Sequence, residues 1–168
     1  MRYHNITNID MLNGLGLRVV LWLSHCEHKC PHCQNPETWD ANSGILFDEE
    51  AKQELFDDLS KNYIAGLTLS GGDPLSSINR YEIIPLLMEI KDTFPDKDVV
   101  CYTGYLWEDV KDLEAIKYID ILVDGEFKID LSNPSPMWVG STNQRIIDVK
   151  KSLKENKVIL AEEYYSYK

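Results

Sequence analysis

The sequence predicts an α/β fold, a partial (incomplete) TIM-like barrel of βα units around a mostly parallel sheet. Three observations carry that expectation. Short runs of β-forming residues alternate with helical stretches over most of the chain. The runs are continuously apolar rather than alternating, as strands covered on both faces are. Four clear units, six at most, fall short of the eight that close a barrel. The 168 residues are read as one domain, 1–168.

Taken in order, "VVLWLS" (19–24) is a buried strand. A cysteine-bearing loop follows it. "DEEAKQELFDDLSKN" (48–62) reads as a helix: Asp48 caps it, acids fill its first turn, and Ala51, Leu55 and Leu59 recur every four residues. "AGLTLS" (65–70) is the second strand and ends in Gly71-Gly72. "INRYEIIPLLMEIKDTF" (78–94) is a second helix with Ile83, Leu87, Ile90 and Phe94 on one side, in which Pro85 is expected to start, kink or interrupt the run. "DVVCYTG" (98–104) is a third strand, "WEDVKDLEAIKY" (107–118) a helix, and "DILVDG" (120–125) a fourth strand. "RIIDVKKSLKENKVIL" reads as a short helix between two strands.

Composition narrows the functional classes. Hydrophobic residues make up 43% and charged residues 27%, which is ordinary for a globular chain able to bury a core. There are 28 acidic against 17 basic residues, a net charge of −11, and no basic run longer than Lys150-Lys151. Such a chain repels phosphate backbones and anionic membranes, so neither nucleic acid nor membrane is expected as a partner. The opening "MRYHNITNID" lacks an apolar signal core, and no apolar run approaches the ~18 residues of a membrane span. A cytoplasmic setting is expected, where clustered cysteines point to metal or redox chemistry rather than disulfides.

The clustered cysteines are Cys26, Cys30 and Cys33, in "SHCEHKCPHCQNPETWD" after the first strand. "GGDP" follows the second strand, "YTGY" the third and "DGEF" the fourth, so the unusual residues gather where α/β folds place their sites. Three sulfurs suit two kinds of centre. A cubane iron–sulfur cluster held at three irons keeps one iron open for a substrate. A Cys3His zinc site is the rival, with His25, His28 and His32 in the same stretch and His4 upstream. Such sites usually draw ligands from separated segments, whereas these thiols share one loop; spacing leaves both readings open.

The C-x3-C-x2-C loop resembles that of the radical S-adenosylmethionine (SAM) enzymes. Together with "NGLGLRVVLWLSHC", "LSGGDPL", "YTGY", "LVDGEF" and "WVGSTNQRIIDV", from about residue 5 to residue 149, it resembles the activating proteins of the anaerobic ribonucleoside-triphosphate reductase. The resemblance implies a radical SAM type of fold and a [4Fe–4S] cluster on Cys26, Cys30 and Cys33. It also implies SAM on the open iron, cleaved reductively to methionine and a 5′-deoxyadenosyl radical. That radical takes a hydrogen from a glycine of the partner reductase, leaving a glycyl radical. The implied cofactor-binding residues are His32, Cys33, Gln34, Gly71, Gly72, Asp73 and Thr103, with no catalytic side chain beyond the cluster ligands. Many radical SAM enzymes carry Glu at the Asp73 position, and Phe or Tyr at that of His32. The implied partners are the glycyl-radical subunit of the reductase, a flavodoxin or ferredoxin type electron donor, and a second copy of the chain as a homodimer. The alternatives are activation of another glycyl-radical enzyme, or a non-catalytic zinc-binding interaction module.

Other residues have blander readings. His25 and His28 are solvated or locally bonded loop residues, and His4 has no assigned role. Gly104, Asp124 and Gly125 are turn-formers at strand ends that are also within reach of SAM. Cys101, inside an apolar run, is an inert core residue. Ser141 to Arg145 either shape a partner surface or satisfy backbone groups of a polar loop. The tyrosines of "AEEYYSYK" pack, fray or join an interface.

Overall fold

A computed structural model describes residues 1–133 and 137–166. Its centre is one seven-stranded sheet, formed by β1 (Arg2–Asp10), β2 (Leu17–Leu23), β3 (Ile45–Leu46), β4 (Ile64–Gly71), β5 (Asp98–Tyr102), β6 (Ile121–Asp124) and β7 (Arg145–Asp148). The order across the sheet is β3-β1-β2-β4-β5-β6-β7. The four central strands, β2, β4, β5 and β6, are parallel, while β1, β3 and β7 run antiparallel to their neighbours. The sheet is mostly parallel and open: its edges are β3 and β7, which do not pair with each other.

Both faces of the central strands are covered, which explains their unbroken apolar runs. Along β5, Val99 and Cys101 point into the larger core and Val100 into the smaller one. The larger core packs Leu21, Leu67 and Leu122 against α1 (Glu49–Leu59) and α2 (Asn79–Thr93). The smaller gathers Val123 and Ile146 with Trp138 and Tyr164. As expected, Asp48 caps α1 by accepting from Ala51 N–H at 3.0 Å, and Ala51, Leu55 and Leu59 are its buried stripe. Ile83, Leu87 and Ile90 do the same for α2.

The structure departs from the sequence reading in several places, among them the unexpected short strand β3. β1 precedes the expected first strand; a register shift between Tyr3 and Asn5 puts its buried residues, Tyr3 and Ile6, three apart, which hides the strand's two-residue period. Pro85 does not interrupt α2, which runs through it from Asn79 to Thr93 with the proline on the exposed side. The expected helix 107–118 is broken into α3 (Trp107–Val110) and a 3-10 turn at Glu114–Tyr118. After β7 and α4 (Val149–Glu155) the chain makes only a single bridge, Leu160 to Ile147, rather than a further strand. The C-terminal tyrosines pack in α5 (Glu162–Ser166): Tyr164 is buried and the Tyr165 hydroxyl accepts from Ile146 N–H at 2.9 Å. Lys168 and Tyr167 lie outside the described residues. No helix among the described residues is long and apolar enough to cross a membrane.

Candidate cluster site

The parallel strands all end on one side of the sheet, and there the loops enclose a cavity of about 590 Å³. That is within the ~300–1,000 Å³ typical of small-molecule sites. Cys26, Cys30 and Cys33 all line it, as do Gln34, Gly71, Gly72, Asp73 and Thr103. His32 is the one expected site residue outside the lining; it is exposed on the loop's outer turn.

Local backbone geometry turns the thiols inward. His25, Lys29 and His32 have φ of 76°, 49° and 59°, and each directly precedes a cysteine. Left-handed conformations cost a non-glycine residue energy and survive where surrounding structure enforces them. Here the loop's ends are pinned. His25 N–H donates to the Thr38 carbonyl at 2.7 Å and Cys26 N–H to that of Trp39 at 3.2 Å. Asn35 N–H lies 3.4 Å from Cys33 Sγ, and the backbone N–H groups of Lys29 and His28 near Cys26, and of Phe127 near Cys30, favour the thiolates. Burial nonetheless pushes the Cys26 thiol up to about 11, and burial raises Cys30 as well. Iron binding would displace those protons, because only thiolate ligates.

"GGDP" acts first on the protein itself. Gly72 N–H donates to the Leu23 carbonyl and Asp73 N–H to that of His25, both at 2.7 Å, stitching the end of β4 to the root of the cysteine loop. Asp73 is 2% exposed and its carboxylate is heavily used. It accepts from Leu75 N–H at 2.8 Å, from Gly104 N–H at 3.0 Å and from the Thr103 hydroxyl at 2.9 Å. Thr103 therefore reaches the cavity with its proton already donated.

His28, expected as a solvated or locally bonded loop residue, instead braces the loop from both sides, and Glu27 adds a second brace. His28 Nδ1 lies 2.9 Å from Glu126 Oε1 and Nε2 lies 3.0 Å from Asp73 Oδ2, so the ring spans the ends of β4 and β6. The Asp73 carboxylate beside it, opposed by burial and helped by Glu126, pushes its pKa up to about 9. The ring stands edge-on to Tyr105, with centroids 4.5 Å apart. Glu27 accepts from Ser77 and from the Tyr105 hydroxyl, the latter at 2.5 Å; the Ser77 bond, then the Tyr105 bond, brings its carboxyl down to about 2. Nothing in the sequence marked these long-range partners, since a lone His or Glu in a loop carries no record of what faces it.

The remaining residues resolve as follows. His25 Nδ1 meets the Ser76 hydroxyl at 3.0 Å and His4 Nε2 meets that of Ser43 at 2.9 Å. Cys101 is fully buried in β5. Asp124 is committed to Arg145 and to Trp107 N–H, while Gly104 and Gly125 line the cavity. For residues 141–145 the polar-loop reading holds: Ser141 accepts from Lys128 N–H, Asn143 donates to the Glu126 carbonyl and Gln144 to that of Gly125.

The chemistry of the donor set fits a cluster with an open corner. Three thiols line one cavity with further room beside them, and a backbone N–H lies 3.4 Å from one of them, Cys33. The histidines that a Cys3His site would need are spent, except His32, on other partners.

Comparison with known proteins agrees. Residues 12–147 match the model of the 4Fe-4S single cluster domain. An anaerobic ribonucleoside-triphosphate reductase-activating protein of Enterobacteria phage T4 is 47% identical over 146 residues, covering 87% of this chain and 93% of the relative. Proteins of the same name from Haemophilus influenzae and Escherichia coli K12 are each 39% identical, over 87% and 86% of this chain and 97% and 96% of their own lengths. The chain belongs to the 4Fe-4S single cluster domain family and, within it, to the anaerobic ribonucleoside-triphosphate reductase-activating proteins.

Proposed function

We propose that this protein activates an anaerobic ribonucleoside-triphosphate reductase by generating its glycyl radical. The observation that carries the reading is the convergence of Cys26, Cys30 and Cys33 on one cavity that has space left beside them. In this reading those thiolates would hold a [4Fe–4S] cluster at three irons and leave room beside it for SAM. When bound, the cluster supplies one-electron reductive cleavage of SAM, and with it a radical able to take hydrogen from a glycine.

The protein's own part is position, shielding and access. Gly71 and Gly72 offer backbone to the methionine end of SAM. Asp73, with its carboxylate already bonded, acts there mainly by fixing the turn. Gln34 stands on the cavity wall beside Cys33, and Thr103 offers hydroxyl lone pairs. His32 reaches an adenine ring only from the rim. Trp22 and Phe127 in the lining limit water around a reactive species. In this reading the chain is one 1–168 domain, a partial TIM-like barrel of radical SAM type whose wide mouth suits a protein loop rather than a small substrate. The electron donor is a flavodoxin or ferredoxin, the setting the cytoplasm, and the assembly a homodimer.

Mixing the reconstituted protein with reductase, SAM and a reductant without oxygen tests this. A glycine-centred radical in the electron paramagnetic resonance (EPR) spectrum, with 5′-deoxyadenosine released, is the expected result. Release of 5′-deoxyadenosine with no glycyl signal on that reductase moves the target to another glycyl-radical enzyme.

A further inference from the structure

The segment 140–144 makes no bond described above to the cysteine loop, but it bonds residues 125 and 126, which adjoin that loop. Residues 125–127, at the exit of β6, approach the far side of that loop. The Phe127 N–H favours the Cys30 thiolate, and Glu126 Oε1 stands 2.9 Å from His28 Nδ1. Two residues of 140–144 fasten this exit. Asn143 Nδ2 donates to the Glu126 carbonyl and Gln144 Nε2 to the Gly125 carbonyl, each at 2.9 Å. Gln144 Oε1 accepts from Gly140 N–H at 2.8 Å and Ser141 N–H at 3.1 Å, folding the segment on itself. Gly140 leaves the seat for the Phe127 ring: a Cβ there would stand 2.9 Å from Phe127 Cδ2.

We infer that Asn143 and Gln144 are positioning residues for the cluster: through residues 125–127 they aim the Phe127 N–H at the Cys30 thiolate and hold Glu126 against His28. The inference rests on the cluster reading above. Its chemistry is direct. An N–H donor to a ligating sulfur stabilises the reduced cluster, which carries more negative charge, and so raises the reduction potential. Partners outside the ligand set also hold the ligands in place, and their loss typically costs ~10–100-fold in metal affinity.

The test uses full-length protein reconstituted with iron and sulfide without oxygen. Asn143→Ala and Gln144→Ala are compared with wild type for midpoint potential, the EPR spectrum of the reduced cluster, and the rate of iron loss to a chelator. Both variants are expected to show a lower potential, a shifted spectrum and iron loss faster by about tenfold or more. Melting of the metal-free proteins identifies any variant that fails to fold. Glu126→Gln then carries the test: it leaves the backbone unchanged, weakens the His28 contact, and is expected to speed iron loss. Variants that fold, load four irons and keep wild-type potential, spectrum and release rate overturn the inference and leave the cluster reading standing. A wild-type protein that takes up no cluster overturns both.

Discussion

Replacing Arg145 by Ala would uncouple the end of β6 from β7 and α3. Asp124 is fully buried and takes Arg145 Nε at 3.1 Å, an Arg145 terminal nitrogen at 2.5 Å and Trp107 N–H at 2.8 Å. The same guanidinium reaches Glu108 at 2.8 Å and 3.3 Å. Arg145→Ala leaves the Asp124 carboxylate in the interior with one N–H donor. Removing one partner of a buried pair typically costs ~3–5 kcal/mol. The Arg145 side chain is 32% exposed, so water enters the vacated space, and about 3 kcal/mol is the appropriate figure. At ~2–4 °C per kcal/mol for a chain of this size, Tm should fall by about 6–12 °C. Calorimetry of the metal-free, reduced protein measures it. Arg145→Ala/Asp124→Asn removes the orphaned charge and should recover a large part of the loss, whereas Glu108→Ala, at an exposed pair, should cost under about 1 kcal/mol. A loss below about 1 kcal/mol for Arg145→Ala, or a double variant worse than the single, would refute the argument.

Three further perturbations bear on the site and the fold. Gly104→Ala would put a Cβ 2.4 Å from His28 Cδ2, on a ring held from two sides; unfolding should be easier by ~1–3 kcal/mol in urea titration, with faster iron loss. Asp120 is subject to burial, which opposes its charge, but bonds from Lys150, Lys91 and Val99 N–H outweigh it and hold the carboxyl below its usual value. Its contribution is therefore present above the unfolded value of ~3.9 and lost as pH falls through the lower folded value. Asp120→Asn should lower Tm at pH 7, and the gap should close below about pH 4. Cys30→Ala should leave too few ligands to retain the cluster, read as iron per chain after gel filtration; four irons retained would remove Cys30 from the ligand set.

The parallel centre of the fold was legible because its signals are local. Asp48 before an acidic turn, Ala51-Leu55-Leu59 along a helix face, and apolar strands ending in Gly71-Gly72 all act within a few residues. The antiparallel strand β1 was not, because a bulge breaks its period. The helix 107–118 was over-read because periodicity does not register a chain that stops at Val110 and resumes as a 3-10 turn. At the site, the three cysteines and the "GGDP" turn are sequence-adjacent and were found. The braces were not: His28 meets Glu126 across 98 residues and Glu27 meets Tyr105 across 78. Asp73 shows the same limit from the other side. Its position was legible, but that its carboxylate serves Thr103, Gly104 and Leu75 depended on loops far away in sequence.

The central claim is that three thiolates of one loop hold a cluster whose remaining iron is open to SAM. The most direct measurement is the EPR spectrum of the reduced, reconstituted protein before and after SAM is added. A single reduced [4Fe–4S] signal that changes on SAM binding is expected. Colourless protein with bound zinc, or a cluster signal indifferent to saturating SAM, would contradict it.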